Sequence, residues 1–494
     1  MLIGYYILPK KVRNIWLLGG SLVFYAFGGP KYLFFLLASI VVNYLFGLLI
    51  AHFADRTHPA DDRGNVTFHP LNQKIILILA LVINLASLVY FKYAGMLLET
   101  VRDLFNPDLL IPEIIMPLGI SFYTFQCISY VVDVYRKEGG QAADGTPASL
   151  VEKNPIDFAL YIAMFPQLLQ GPIIRYPDTK QDIKAPSIDL NDFTVGIERF
   201  IIGLAKKALL ANTLGEVADN IFAMEPSYMS VPVAWLGAIL YTLQIYFDFS
   251  GYSDMAVGLG RMFGFHFMEN FDYPYISKSV TEFWRRWHIS LSRWFRDYLY
   301  IPLGGNRKGN VYLNLFIVFL CTGIWHGAAW GFLVWGLWHG IFMLIERFAK
   351  QKKKAAGTNV QQTGVRAALT SFLQWFYTML VVSLGWVLFK IEDIGPALSY
   401  IGVMFNIGRS DYSAFSIWYF LNKRLIFFLI ISLLACIPWA QVLPRYVASY
   451  IAAFTSGQKT GCRVARYICL GALFIISLIF VINNTYTPFI YFQF

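Results

Sequence analysis

Between Gly309 and Ile345 the chain carries no Asp, Glu, Lys or Arg for 37 residues, and this run constrains the fold more than any other feature. As one α-helix it would extend roughly 55 Å at 1.5 Å per residue, against a hydrocarbon core about 30 Å thick. The run must therefore fold back on itself. The bend is expected at Gly323 or Gly327, since glycine adopts the dihedrals a turn demands. With both ends on the cytoplasmic side, His326 is carried deep into the bilayer. Further uncharged apolar windows recur at Tyr32–Ala51, Ile75–Tyr90, Val231–Tyr246 and Leu425–Trp439. With 57% hydrophobic and only 14% charged residues, the chain has more apolar surface than a soluble core consumes. The expected fold class is all-α: a polytopic membrane protein forming one membrane domain over 1–494. About 10–13 membrane segments are expected, with less typical spans at 424–494.

The formal net charge is +10, but the Lys and Arg sit in short connections between apolar segments, as the positive-inside bias predicts. The reading is membrane lipid as partner and no nucleic acid. The most cationic connection, Lys350–Lys354 followed by a polar run to Arg366, places the 350–366 loop on the cytoplasmic side. The five cysteines (127, 321, 436, 462 and 469) have no CxxC spacing, so no disulfide framework is implied. Met1–Leu8 is followed by Pro9-Lys-Lys-Val-Arg13 without a small-residue cleavage site, so no cleavable signal peptide is expected and the first clear span starts near Ile15. The longest polar stretches run about twenty residues or fewer, too short for a soluble domain.

Several side chains stand out against this apolar background. Thr281–Tyr300 reads as one amphipathic helix: at about 100° per residue Trp284, Trp287, His288, Leu291, Phe295 and Tyr298 share a face, with Arg285, Arg286, Arg293 and Arg296 opposite. Such a helix lies in the membrane interface, and an ordinary interfacial anchor with a satisfied histidine fits the pattern as well. The next turn, Gly304-Gly-Asn306-Arg307-Lys308-Gly309, is cationic and flexible enough to hold a phosphate, or is a plain positive-inside turn. Asp248 and Asp254 lie in an apolar stretch with Gly251 between them. Ionisable groups at membrane depth face a cavity or a partner, so a helix broken at Gly251 and lining a polar chamber is expected there, with an interfacial loop as the alternative. His326, in Gly323-Ile-Trp-His-Gly-Ala-Ala329, is an imidazole among small neighbours and is a candidate base, although a structural role is open to it. The Trp-His-Gly tripeptide recurs at 338–340. On a continuous helix His339 would stand about 20 Å beyond His326 and about 220° around the axis, so the two share a site only where the chain bends. No His pair has metal-ligand spacing, so no metal is expected. No Gly-x-Ser-x-Gly elbow occurs near the histidines, which argues against a hydrolase triad.

Four segments together, PLGISFYTFQCISYVVDVYR (117–136), YFDFSGYSDMAVGLG (246–260), TEFWRRWHISLSRWFRDYLYIPLGGNRKG (281–309) and GIWHGAAWGFLVWGLWHG (323–340), resemble the membrane-bound O-acyltransferase family, and more narrowly its alginate O-acetylation branch. The likeness runs from about Tyr5 to Leu388 in family order, with the motif-bearing core at 115–345. It implies a ring of transmembrane helices around a central tunnel, with interfacial and re-entrant helices, in which a histidine meets an acyl thioester from one side and an acceptor from the other. By motif that histidine is His326, the second polar position is His288, and His339 is supporting, as are Asp248, Asp254 and Trp325. The family pattern also places an apolar stretch before a YYILPKKVRN-like segment. Here only Met1–Gly4 precede Tyr5, so the chain is expected to begin late.

The resemblance implies transfer of an acetyl group from acetyl-CoA, a substrate and no permanently bound cofactor, with Arg285, Arg286, Arg296, Asn306, Arg307 and Lys308 as candidate donor-binding residues. The expected acceptor is a hydroxyl of an exported or cell-surface polysaccharide, reached through an extracytoplasmic acyltransferase partner. The expected location is the bacterial inner or plasma membrane. One rival is a D-alanyl or longer-acyl transferase using a carrier-protein thioester. Another is a polysaccharide or lipid transporter, against which stands the absence of two comparable halves. A third is a scaffold for an export complex.

Overall fold

The computed structural model describes residues 1–55, 70–112, 114–136, 150–186, 189–355, 364–407, 415–439, 456–483 and 486. Most of these residues are helical, with no strand among them. The principal helices are α1 (Lys10–Phe27), α2 (Pro30–Asp55), α3 (Pro70–Phe105), α4 (Ile120–Arg136), α5 (Pro155–Ala163), α6 (Leu190–Ala205), α7 (Asn212–Phe222), α8 (Val231–Met262), α9 (Val280–Arg286), α10 (Ile289–Phe295), α11 (Val311–His326), α12 (Trp330–Ala355), α13 (Gly364–Lys390), α14 (Ile394–Met404), α15 (Lys423–Ala435) and α16 (Ser456–Asn483). Among the described residues six of them, α2, α3, α8, α12, α13 and α16, are long and apolar enough to cross a membrane, and α11 and α14 are shorter apolar helices. The protein is a multi-pass membrane protein. Parts of the expected cytoplasmic loop (356–363) and of the C-terminal spans (440–455, 484–485 and 487–494) lie outside the described residues.

The chain divides into two compact units. One comprises Met1–Ile197, Ala256–Met268 and Arg296–Tyr298, the other Glu198–Met255, Glu269–Phe295 and Leu299–Phe494. The first is built on α1–α5 around a core that includes Tyr25, Ile40, Tyr123, Tyr130, Phe158 and Tyr161. Three of its buried acids are partnered: Lys184 bridges Glu152 (2.8 Å) and Asp157 (2.9 Å), and the Tyr298 hydroxyl donates to Asp133 (2.7 Å).

The second unit holds all three singled-out histidines. Its central feature is the hairpin α11–α12. Asn310 starts α11, its side chain accepting from Tyr312 N (3.0 Å), and the helix ends at His326. Gly327 is extended, and the chain reverses before Trp330. The uncharged run thus folds back as its length requires, with the turn just after His326. Gly323 serves a different purpose: it faces Gly336, where an added Cβ would come 2.5 Å from Phe319 O and 2.9 Å from Gly323 Cα. Two glycines let the helices approach to backbone contact, the small-residue packing that dispersion favours where water supplies no drive.

Two sequence expectations are corrected here. Thr281–Tyr300 is not one helix. α9 ends at Arg286, His288 takes a positive φ of 43°, α10 follows, and residues 296–300 form a π-turn. Even so, Trp284, Trp287, His288, Leu291 and Phe295 are all buried while Arg285 and Arg296 are exposed, so the division into faces survives the break. Nor does Gly251 interrupt its helix. α8 runs unbroken from Val231 to Met262, and Gly251 instead admits α6, where an added Cβ would meet Gly203 O at 2.8 Å. Packing outweighs the helix cost of glycine, about 1 kcal/mol. The irregularity falls on the partner helix of the contact, where Lys206–Ala211 form a π-bulge.

Candidate active site

The turn after α11 sets His326 at the tip of the hairpin. The neighbouring turn of α12 brings Trp335 against it, ring centroids 4.7 Å apart, and α13 adds Phe389 at 5.4 Å. Trp325 closes a further side at 4.9 Å. His326 is 4% exposed. That enclosure keeps bulk water away from the ring.

His339, one helical turn beyond Trp335, packs 5.3 Å from that indole and 5.3 Å from Trp284. Trp335 therefore stands between the two histidines that a straight helix would keep apart. Neither ring nitrogen of His339 has a hydrogen-bond partner among the described residues, and the indole N–H groups of Trp284 and Trp335 are equally without one. A buried, unsatisfied polar group costs about 1–3 kcal/mol. Several of them gather beside one imidazole, a concentration that calls for an explanation.

His288 lies at the α9–α10 break, fully buried, 4.7 Å from the Phe249 ring and 6.1 Å from Trp325. Asn270 fixes its state. The Oδ1 of Asn270 accepts from Ser290 N (3.1 Å) and Ser290 Oγ (2.9 Å), and lies 3.1 Å from His288 Nδ1. A backbone N–H can only donate, so the atom it faces is the amide oxygen, and a ring nitrogen facing that oxygen must carry its proton. His288 is thus the Nδ1–H tautomer. Its Nε2 keeps a lone pair, with no hydrogen-bond partner among the described residues. Burial pushes the imidazolium pKa down to about 3, so the ring is neutral at physiological pH. The left-handed φ at a non-glycine residue costs on the order of 1–3 kcal/mol and is characteristic of a functional position.

The supporting acids are partnered. Asp248 forms a buried ion pair with Lys207, and Asp254 pairs with Lys206 (2.7 Å) and Arg199 (2.8 Å). The π-bulge supplies both lysines and so explains why α8 tolerates two carboxylates. The candidate donor-binding residues do not gather into one group. Arg286 is held by Asp272 (2.9 Å) and Glu282 (3.0 Å). Arg296, in the other unit, pairs with Asp297. Asn306 accepts from Tyr300 Oη (2.8 Å) and Arg347 Nη2 (3.2 Å). Arg285, Arg307 and Lys308 are exposed, the latter two on a turn whose Gly304, Gly305 and Gly309 all have positive φ. Among the described residues no group of three or more His, Cys, Asp or Glu is placed to hold a metal.

Sequence reasoning missed Trp335, Phe389, Asn270 and Lys207. Trp335 and His339 share a helix face at i, i+4, a usable signal. Asn270 lies eighteen residues from His288, and nothing local connects them.

Comparison with known proteins identifies the family. The model of the membrane-bound O-acyltransferase family matches residues 109–389, which include α8 to α13. A protein of Pseudomonas putida named probable alginate O-acetylase is 38% identical over 99% of this chain and 96% of its own length. A peptidoglycan O-acetyltransferase of Helicobacter pylori is 34% identical over 82% of this chain and 77% of its own. A teichoic acid D-alanyltransferase of Bacillus subtilis is 31% identical over 48% of this chain and 60% of its own. A buried histidine at the tip of a membrane hairpin, at a position inside the matched region, together with these relatives, makes the chain a member of the membrane-bound O-acyltransferase family and an O-acyltransferase.

Proposed function

We propose that the protein moves an acetyl group from acetyl-CoA, supplied on the cytoplasmic side, to a hydroxyl that serves O-acetylation of an exported or cell-surface polysaccharide at the bacterial cell membrane. The observation that carries this reading is the enclosure of His326 beside unpartnered ring N–H groups, within a chain similar over nearly its whole length to a probable alginate O-acetylase.

In the proposed step neutral His326 takes the proton of the acceptor hydroxyl as its oxygen bonds to the thioester carbonyl carbon. The tetrahedral intermediate collapses with cleavage of the C–S bond, and the imidazolium returns its proton to the CoA thiolate. For oxyanion support, His288 and a backbone donor are two candidates. Because Nδ1–H of His288 is committed to Asn270, its free Nε2 accepts and does not donate. We assign the neutral ring to orienting the acceptor hydroxyl, and oxyanion support to the Trp335 indole N–H beside His326. An extracytoplasmic acyltransferase partner that carries the acetyl group onward fits this scheme. Asp248, Asp254 and His339 hold the fold around the site.

The test supplies labelled acetyl-CoA to membranes containing the protein, with acceptor and partner. Wild type transfers label, and folded His326→Ala loses about 10²-fold or more. Undiminished transfer by that variant removes His326 from the mechanism. Transfer from a D-alanyl carrier-protein thioester and none from acetyl-CoA would move the donor assignment to the rival reading.

A further inference from the structure

α1 ends at Phe27, and Gly28 and Gly29 turn the chain into α2. The turn is tight: Gly29 has a φ of 138°, and a Cβ there would meet the Tyr32 ring at 2.8 Å. Beside it α2 and α3 leave a groove of about 450 Å³, closed on a third side by Pro112, Ile114 and Ile115. Phe35 and Phe91 line it as an edge-to-face pair with ring centroids 4.7 Å apart, and Tyr32 and Tyr90 line it as well. Among the described residues of the groove Lys31 is the only charged one. All of them belong to the first unit, and none is assigned to the His326 site. α2 is long and apolar enough to cross a membrane from Pro30, so a groove at its start lies at the interface, the depth of lipid headgroups.

We propose that this groove holds one diacyl glycerophospholipid, with its phosphodiester at Lys31 and its acyl chains against α2 and α3. Lys31 is exposed and forms no ion pair or side-chain hydrogen bond among the described residues. It stands in the first turn of α2, which contains no acidic residue and where the helix dipole disfavours a cation. A phosphate beside it neutralises the ammonium and suits the dipole. The hydroxyls of Tyr32 and Tyr90 make no hydrogen bond among the described residues, and at this depth they can donate to phosphate or ester oxygens. Below the cation the walls are aromatic and aliphatic, and the same two helices expose Phe34, Val41, Val82 and Val89, so the chains have apolar surface to follow. One charge at the mouth of an apolar groove matches the division of a phospholipid into head and tail. A soluble phosphate would use Lys31 and gain nothing from the walls. A polypeptide would bring N–H and C=O groups that such walls leave unpaired. The inference goes beyond the transferase reading, because the site is argued from its own side chains and its occupancy is measurable without acyl transfer.

Native mass spectrometry of the full chain released from detergent and titrated with dioleoyl phosphatidylethanolamine is expected to show a saturable bound lipid above the linear background of adducts. Lys31→Gln should weaken it about tenfold, and Lys31→Arg should not. Ile115→Trp, which fills the groove, should weaken it at least as much. A dioleoyl glucosyl glycerol, with the same chains and no phosphate, should bind about tenfold more weakly, and glycerophosphoethanolamine, the head without chains, should not bind. His326→Ala should hold the lipid as wild type does, so failure of the catalytic reading leaves this result standing. The proposal is overturned by adducts that never saturate, by equal binding of the glucosyl lipid, or by titrations that Lys31→Gln and Ile115→Trp leave unaltered. Binding of glycerophosphoethanolamine as tight as that of the lipid also overturns it, assigning the groove to a soluble phosphate. So does a monomer–dimer shift in Ile115→Trp with lipid binding intact, which assigns the groove to a second copy of the chain.

Discussion

At the scale of single residues, the tautomer of His288 is decided by three donors converging on one amide oxygen. Asn270→Ala removes that oxygen, and we expect kcat to fall about tenfold or more with KM for the donor little changed. Asn270→Asp, which retains the acceptor, should restore most of the rate. ¹⁵N shifts of labelled histidine check the cause directly: the variant with alanine should show His288 losing its pure Nδ1–H signature, and an unchanged spectrum would detach Asn270 from the ring. Burial also makes His288 a term in acid stability. Its folded pKa, about 3, lies below the ordinary value near 6.5, so below pH 6.5 the unfolded chain takes up a proton that the folded one refuses. Stability from this group is complete above about pH 6.5 and declines progressively towards pH 3. Thermal unfolding between pH 8 and 5 should therefore show a steeper acid loss for wild type than for His288→Gln. Equal slopes would contradict the assignment of a buried neutral ring.

At the scale of elements, the hairpin α11–α12 depends on backbone approach more than on side-chain bulk. Gly336→Ala would set a methyl 2.5 Å from Phe319 O and 2.9 Å from Gly323 Cα. Neither neighbour is a flexible side-chain end, so the helices must separate. We expect a destabilisation of about 1–3 kcal/mol and a loss of activity larger than the stability change alone explains, because Trp335 and His326 sit on opposite arms of that hairpin. A thermal shift with transfer assayed well below the melting point separates the two effects. α9 is anchored in an equally specific way. Glu346, which ends the uncharged run, accepts from Val280 N (2.6 Å), Thr281 N (3.0 Å) and Thr281 Oγ1 (2.7 Å), placing a carboxylate at the helix start, where the dipole favours it.

At the scale of the whole molecule, the buried ion pair Asp248–Lys207 ties α8 to the π-bulge between α6 and α7. Asp248→Leu or Lys207→Met alone leaves a buried charge without this counterion and should cost about 3–5 kcal/mol, whereas the double variant should cost much less. Thermal unfolding of the three proteins decides it. Additive losses would show that the pair acts through something other than mutual neutralisation.

The membrane class and the reversal of the 309–345 run were determined by the sequence itself, because both follow from counting charges and comparing a helix length with a bilayer thickness. The buried face of 281–300 was legible for a similar reason: the aromatic stripe recurs at helical spacing, and a break of two residues, Trp287 and His288, leaves both halves facing the same core. Helix breaks were not legible. Gly251 looked like an interruption and is a contact, while the bulge falls on Lys206–Ala211, where no residue type announces it. The companions of the histidines, Trp335 with Phe389 and Asn270 with Ser290, were decided only by tertiary structure. Hydrogen bonds and ring contacts depend on separation in space, and the residues between Asn270 and His288, or between His326 and Phe389, carry no trace of it in their pattern.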